Sequence, residues 1–235
     1  MITVRPGSHM YNLLSLLSIS GEFPCRSLGI LGDERTVKAM VHRMEAVQTF
    51  RVLSNDTILK TMLFHISGRG CRRTVRLSKI ALELLNDVHP KAFDYYWEIH
   101  PDNKFSGNLN RIDRNHRIGE ALAACMMAGV EVAPYKLPDL QKESIRCVVP
   151  EYPCFYVSRK FKNIMGSEYN KTKFTRNVGL LFYPGGGYAV YNTRDALMKW
   201  SGVGEMKARL DMSDIVRMNA GPYDVQSALL DFLGN

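Results

Sequence analysis

Apolar residues in the first 45 positions recur at helical spacing, in three segments separated by turn residues. Leucines at 13, 14, 16 and 17 predict a buried helix from Tyr11 to Ile19, which Ser20-Gly21 ends. A second short helix is expected from Cys25 to Leu31, between Pro24 and Gly32. Asp33 is a good N-cap for a third helix, whose apolar face is formed by Val37, Met40, Val41 and Met44. This succession is typical of a helix-turn-helix.

The pattern then changes to β-prone runs. Residues 58–66 and 72–77 flank Ser67-Gly68-Arg69-Gly70-Cys71, a glycine-containing turn, and predict a β-hairpin. Ser78 begins another helical stretch, His89-Pro90 breaks it, and an aromatic helix around residues 93–97 follows. The order of helices and hairpin predicts a winged helix-turn-helix domain over residues 11–100, in which the hairpin is the wing. Residues 1–10 are set aside because Gly7-Ser8-His9-Met10 matches a scar of common expression vectors.

The second half is expected to form a small α+β domain over residues 108–235. Pro101 to Gly107 has the composition of a linker. Residues 110–129 predict a long helix, residues 148–157, 178–183 and 188–191 predict strands, and a closing helix is expected over 204–218. The fold class predicted for the whole chain is therefore α+β.

Basic residues gather on the outward face of the third helix. Arg35, Ala39 and His42 project opposite its apolar face, and Lys38 and Arg43 flank them. In a helix-turn-helix this outward face enters the major groove. A solvated cationic face is the alternative for these residues taken alone.

The hairpin strengthens the prediction of DNA binding. Six basic residues and no acid lie between Lys60 and Lys79, in a chain whose formal net charge is +8. A hairpin with such a tip would lie against phosphates or in the minor groove. The predicted DNA-binding residues are Arg35, Thr36, Lys38, His42, Arg43, Arg69, Arg72, Arg73 and Arg76.

Catalytic chemistry has weaker support in the sequence. A divalent-metal-dependent nuclease would have to use Glu120, Glu151 and the pair Glu205/Lys207, which are far apart in the chain and lie on elements of different kinds. Gly185-Gly186-Gly187 lacks the Gly-Lys-Ser/Thr of a phosphate loop. The five cysteines include no C-x-x-C pair, and no apolar run is long enough to span a membrane. We therefore expect a cytoplasmic protein without metal or cofactor, not an enzyme.

The chain resembles the replication-relaxation family, whose members are associated with bacterial plasmids and integrative elements. The resemblance rests on the order of parts, on Arg114-Asn115-His116-Arg117 with Glu120, and on Val148-Val149-Pro150-Glu151. It implies a degenerate nuclease-type fold for the C-terminal part, often with Pro-Asp where this chain has Pro150-Glu151. Gly179-Leu180-Leu181-Phe182 lacks the acidic strand residues that an active nuclease of this type requires.

The sequence therefore predicts a protein of a bacterial mobile element that binds double-stranded DNA in replication, transfer or transcription control. A second protomer, or replication or relaxosome proteins, are the expected protein partners. Two alternatives remain: the metal-dependent nuclease or nickase, and a protein-interaction module whose basic residues face an acidic partner.

Overall fold

The computed structural model describes residues 1–100, 112–132, 154–157, 177–183, 186–192 and 194. Helices and strands are both present, so the predicted α+β class is confirmed. The chain divides into two compact units, Met1–Met127 and Ala128–Asn235. Within the part of the chain that the structure describes, no helix is long and apolar enough to cross a membrane.

The first helix, α1 (His9–Ser20), forms the centre of the N-terminal unit. Every residue from 13 to 20 is buried, and the Ser8 hydroxyl caps the helix by accepting a hydrogen bond from the Tyr11 amide at 3.2 Å. Residues before α1 also belong to the fold, because Val4 is buried and the Ile2 amide donates to the Thr49 carbonyl at 2.8 Å. Residues 1–10, which the predicted domain leaves out, therefore contribute to the N-terminal unit.

The second helical segment is a 3₁₀ helix (Cys25–Leu31). It is followed by α2 (Glu34–Glu45), which begins at Asp33 as the sequence predicts. The Asp33 carboxylate accepts from the Thr36 amide at 2.8 Å and from the Thr36 hydroxyl at 2.7 Å. Val37, Val41 and Met44 are buried, which leaves the opposite side of α2 facing solvent.

A three-stranded antiparallel sheet has the order β1-β5-β4, formed by β1 (Phe23–Pro24), β4 (Phe64–Ser67) and β5 (Thr74–Leu77). Val75 lies opposite Phe23 on one side and Ile66 on the other. The predicted hairpin is thus confirmed as the β4–β5 hairpin. The pairing of β1 with β5 also joins the segment between α1 and the 3₁₀ helix to this hairpin.

A further hairpin of β2 (Gln48–Arg51) and β3 (Ile58–Thr61) was not predicted from the sequence. The predicted strand over 58–66 breaks at residues 62–63, where the Leu63 amide donates to the Met44 carbonyl at 2.9 Å. This bond ties the chain to the C-terminal end of α2. The run therefore divides between two sheets.

The helices α3 (Ala81–Val88) and α4 (Pro90–Ile99) follow β5, and Pro90 occupies the first turn of α4. The helix α5 (Ile112–Met127) packs against α1, β1 and the 3₁₀ helix. Its buried side includes Ile118 and Leu122. Because of these contacts α5 belongs to the N-terminal unit, whereas the sequence placed it in the second domain at residue 108.

The second unit contains a four-stranded sheet in the order β6-β7-β8-β9, formed by β6 (Glu131–Val132), β7 (Cys154–Val157), β8 (Asn177–Tyr183) and β9 (Gly186–Tyr191). The pairing of β6 with β7 is parallel and the others are antiparallel. The predicted linker (101–107), the first part of the 148–157 strand and the 204–218 helix lie outside the described residues.

Candidate nucleic-acid interface

The outward side of α2 is a surface of exposed side chains. Arg35, Ala39 and Arg43 are all exposed, as the helical spacing predicts. Neither arginine forms an ion pair within the described part of the chain. Because their guanidinium groups remain available to solvent, both can bind an anionic partner without breaking an internal contact.

Three other predicted residues on α2 are exposed but already have partners on the same helix or its cap. Lys38 pairs with Glu34 one turn earlier, and the His42 ring lies 3.1 Å from a Glu45 carboxylate oxygen. The Thr36 hydroxyl donates to Asp33 at 2.7 Å. Surface pairs of this kind stabilise a helix by only about 0.5 kcal/mol or less, so a phosphate could replace either carboxylate at small cost.

The tip of the β4–β5 hairpin, residues 68–73, carries three of the predicted DNA-binding residues. Arg69, Arg72 and Arg73 are all exposed and have no ion pair among the residues described. Gly68 adopts a left-handed φ of 81°, and a Cβ there would lie 2.4 Å from the Arg72 carbonyl oxygen. This turn requires glycine, since any side chain would force the two arms of the hairpin apart.

Cys25, at the start of the 3₁₀ helix, connects this helix to the hairpin. Its amide donates to the Arg73 carbonyl at 3.0 Å, which fixes the end of the hairpin tip to the start of the 3₁₀ helix. Burial raises the pKa of the Cys25 thiol, the charge of Arg73 lowers it, Glu45 raises it, and Lys38 lowers it. Packing also places α2 next to the hairpin, because α2 contacts both the 3₁₀ helix and β4.

Arg76 differs from the other predicted DNA-binding residues. Its Nη2 and Nε atoms donate to one carboxylate oxygen of Glu22 at 3.0 and 3.3 Å, and the Glu22 side chain is fully buried. The other Glu22 oxygen accepts from the Asn115 amide group at 2.9 Å. Arg76 therefore neutralises a buried acid within the fold, and we remove it from the candidate interface.

This buried cluster was not predicted, because Glu22 gives no recognisable signal in the sequence. The residue follows Gly21 and precedes Phe23, in a segment that could equally be an exposed turn. Burial of a carboxylate is tolerated only where donors replace its water, and here they come from β5 and α5, more than 50 and 90 residues away in the chain. Local patterns carry no information about such distant partners.

The residues of the nuclease alternative do not form a metal site where the structure describes them. Glu120 is buried on α5, where it accepts from the Ser27 hydroxyl at 2.8 Å and lies 3.9 Å from an Arg26 nitrogen. Among the described residues there is no group of three or more His, Cys, Asp or Glu side chains that could hold a metal ion. Glu151, Glu205 and Lys207 lie outside these residues. The contact with Ser27 gives Glu120 a role in joining α5 to the 3₁₀ helix.

Comparisons with models of known protein families, with characterised proteins and with solved structures gave no significant match.

Proposed function

We propose that the N-terminal unit is a winged helix-turn-helix that binds double-stranded DNA. The succession of α1, β1, the 3₁₀ helix, α2 and the β4–β5 hairpin supports this, together with the sheet order β1-β5-β4. In this arrangement the 3₁₀ helix and α2 form the helix-turn-helix, α2 is the recognition helix and the β4–β5 hairpin is the wing. The β2–β3 hairpin is then an insertion between the recognition helix and the wing.

The observation that carries the proposal is the adjacency of two elements that bear exposed basic residues, α2 and the β4–β5 hairpin. The Cys25 amide donates to the Arg73 carbonyl at 3.0 Å, which ties the wing to the 3₁₀ helix, and α2 packs against this helix and β4. Arg35 and Arg43 of α2 are exposed and form no ion pair with any residue that the structure describes. An α-helix with side chains is about 10–12 Å across and fits the major groove, which is about 12 Å wide. A wing next to it meets the adjoining sugar-phosphate backbone.

The residues of the proposed interface fall into two groups. The helix group comprises Arg35, Thr36, Lys38, His42 and Arg43, and the wing group comprises Arg69, Arg72 and Arg73. Arginine can donate two parallel hydrogen bonds to guanine O6 and N7, so Arg35 and Arg43 are the proposed base-reading residues. Arg72 and Arg73 are the proposed phosphate contacts.

The biological setting is proposed on the resemblance to the replication-relaxation family alone. In that setting the protein positions a replication, transfer or transcription complex on the DNA of a bacterial mobile element. Its second unit would contact another protomer or a replication or relaxosome protein. The four strands described there support a folded unit.

The test is a titration of a fluorescent duplex with the full-length protein at several salt concentrations. Arg72→Ala/Arg73→Ala is expected to weaken binding and to reduce the slope of log K against log [salt] by about 1.8, since each phosphate contact contributes about 0.9. Lys91→Ala, an exposed cation on α4, is the matched control and should leave the slope unchanged. Equal affinity and slope for the double variant and the parent would remove the wing from the interface.

A further inference from the structure

The outer edge of β3 presents backbone amides and carbonyls to solvent. On the neighbouring strand β2, the Arg51 amide donates to the Ile2 carbonyl at 3.0 Å, and the Thr49 carbonyl accepts from the Ile2 amide at 2.8 Å. Their respective partners in the β2–β3 register are Ile58 and Lys60. In such antiparallel pairs both residues direct their amides and carbonyls away from each other. Those of Ile58 and Lys60 therefore point away from β2, and they have no hydrogen-bond partner among the residues that the structure describes.

The two edges of the β2–β3 hairpin differ in their cover. The N-terminal segment of the chain, at Ile2, bridges to Phe50 and covers the edge of β2. Among the described elements, β2 is the only one with which β3 has an extended contact. Ile58 is 63% exposed at the uncovered edge. An exposed strand edge that carries an apolar side chain is a template for pairing with a further strand.

Hydrogen bonds at both ends of the hairpin hold this edge in place. The Asp87 carboxylate accepts from the Leu53 amide at 2.8 Å and from the Ser54 amide at 2.7 Å, which fixes the turn between β2 and β3 to α3. After β3, the Leu63 amide donates to the Met44 carbonyl at 2.9 Å. A strand that binds here meets an edge that is already ordered, so less conformational entropy is lost on pairing.

We propose that β3 pairs in antiparallel fashion with β3 of a second copy of this chain, about a two-fold axis at Leu59. In this register Ile58 of each copy lies opposite Lys60 of the other, and their amides and carbonyls exchange four hydrogen bonds. The edge is complementary to itself, because each copy supplies the donors and acceptors that the other lacks. The contact belongs to the N-terminal unit and does not rest on DNA binding.

The side chains favour this register over its neighbours. Leu59 is half-buried and lies opposite the fully buried Phe50, so the same residue of a second copy extends an apolar face that already exists. An axis at Lys60 would place two lysines directly opposite, which is destabilising. An axis at Ile58 would pair Lys60 with Asp56, whose φ of 53° is not extended. With the axis at Leu59 each lysine faces an isoleucine, which its aliphatic stem can cover.

Sedimentation velocity of the full-length protein without DNA tests whether a second copy binds. A contact between two four-residue strands is small beside the about 1,200 Å² of a stable interface, so we expect reversible association. The mass should rise with concentration from 26.7 kDa toward twice that value.

Two substitutions of opposite charge at Ile58 test the register. Ile58→Lys faces Lys60 of the second copy and should weaken association about tenfold or more, whereas Ile58→Glu faces the same lysine with an opposite charge and should retain it. Ala124→Lys and Ala124→Glu, at an exposed position on α5, are the matched controls. They change the net charge by the same amounts and should both associate as the parent does.

Disulfide cross-linking tests the axis directly, in a Cys71→Ser/Cys147→Ser background. Leu59→Cys should form a disulfide-linked dimer, because its two Cα atoms lie about 4.5 Å apart in a pair of this kind, within reach of a disulfide. Ile58→Cys is the control. Its two copies are displaced by two residues along the strands and lie more than about 7 Å apart, so it should cross-link more slowly although it is more exposed.

A parent protein that stays monomeric at every concentration overturns the inference and leaves the edge of β3 to a strand of another protein. Association that Ile58→Lys does not weaken also overturns it, because the copies would then meet elsewhere. Faster cross-linking of Ile58→Cys than of Leu59→Cys excludes the axis at Leu59. No DNA is present in these experiments, so their outcome is separate from that of the proposed function.

Discussion

Removing the guanidinium of Arg76 should destabilise the N-terminal unit strongly, although a count of basic residues would assign it to DNA. Glu22 is fully buried, and among the described residues its carboxylate accepts hydrogen bonds from Arg76 and Asn115. Arg76→Leu leaves this carboxylate with a single donor and no opposite charge. Breaking one side of a buried ion pair costs about 3–5 kcal/mol, and the 22% exposure of the Arg76 side chain favours the lower end.

The assay is urea unfolding followed by the fluorescence of Trp97, in a Trp200→Phe background so that the signal comes from the N-terminal unit. A loss of about 3 kcal/mol with a slope of about 1–3 kcal/mol per molar urea lowers the midpoint by about 1–3 M. The double variant Glu22→Gln/Arg76→Leu is the matched control. It removes the buried charge and keeps an amide oxygen that can accept from Asn115, so it should unfold at higher urea than Arg76→Leu.

An unchanged midpoint for Arg76→Leu would show that Glu22 does not depend on this ion pair. Equal destabilisation of the single and the double variant would also refute the reasoning, because the loss would then come from packing and not from an unpaired charge. The result also matters for mapping the interface. A loss of DNA binding on substitution of Arg76 would report unfolding and could not be counted as a contact.

Three further predictions concern the interface. Ala39→Glu places an acid at the centre of the exposed face of α2 and should weaken duplex binding about tenfold or more. Ala124→Glu, at an exposed position on α5, is the control and should leave binding unchanged. Equal binding by both variants would exclude the α2 face from the interface. Duplex DNA should slow alkylation of the exposed Cys71 at the wing tip. Burial raises the pKa of the Cys125 thiol to about 11, so Cys125 should react slowly with or without DNA. Alkylation of Cys71 at the same rate with and without DNA would contradict the wing contact. The Thr36 hydroxyl and amide hold the pKa of Asp33 below its usual value, so the capping stability is present above the unfolded pKa of about 3.9 and is lost as pH falls through the lower folded pKa. The protection factor of the Thr36 amide, which is the exchange rate relative to the intrinsic rate at the same pH, should therefore fall in acid. Asp33→Ala should show the same loss of protection at neutral pH, and an unchanged protection factor would contradict the cap.

Much of the N-terminal unit could be predicted from local patterns. The cap at Asp33, the apolar spacing of α2 and the glycines of the 67–71 turn are local signals, and each is found in the structure. The β2–β3 hairpin was missed because Gln48–Arg51 has no apolar alternation, and its partner β3 was hidden in a longer β-prone run. That run ends where Leu63 bonds to Met44, a tertiary contact that no local pattern encodes.

The candidate interface was predicted by charge, and charge alone could not separate the two kinds of arginine. Arg73 and Arg76 lie three positions apart on the same hairpin and are indistinguishable in the sequence. The structure gives them different roles, because a buried acid from another segment faces Arg76, whereas Arg73 is exposed. The domain boundary was misplaced for a related reason. Asn115 and Glu120 of α5 make buried contacts with Glu22 and Ser27 of the N-terminal unit, and the sequence of α5 gives no sign of these distant partners.

The most direct test of the central claim is a map of backbone amide NMR shifts of the full-length protein during titration with a short duplex. Binding through α2 and the wing predicts shifts concentrated in residues 34–45 and 68–73, reversed by added salt, with α4 (90–99) unaffected. Shifts concentrated on α4, or no shifts at low salt, would contradict the proposal that the exposed arginines of the helix and hairpin form a DNA-binding surface.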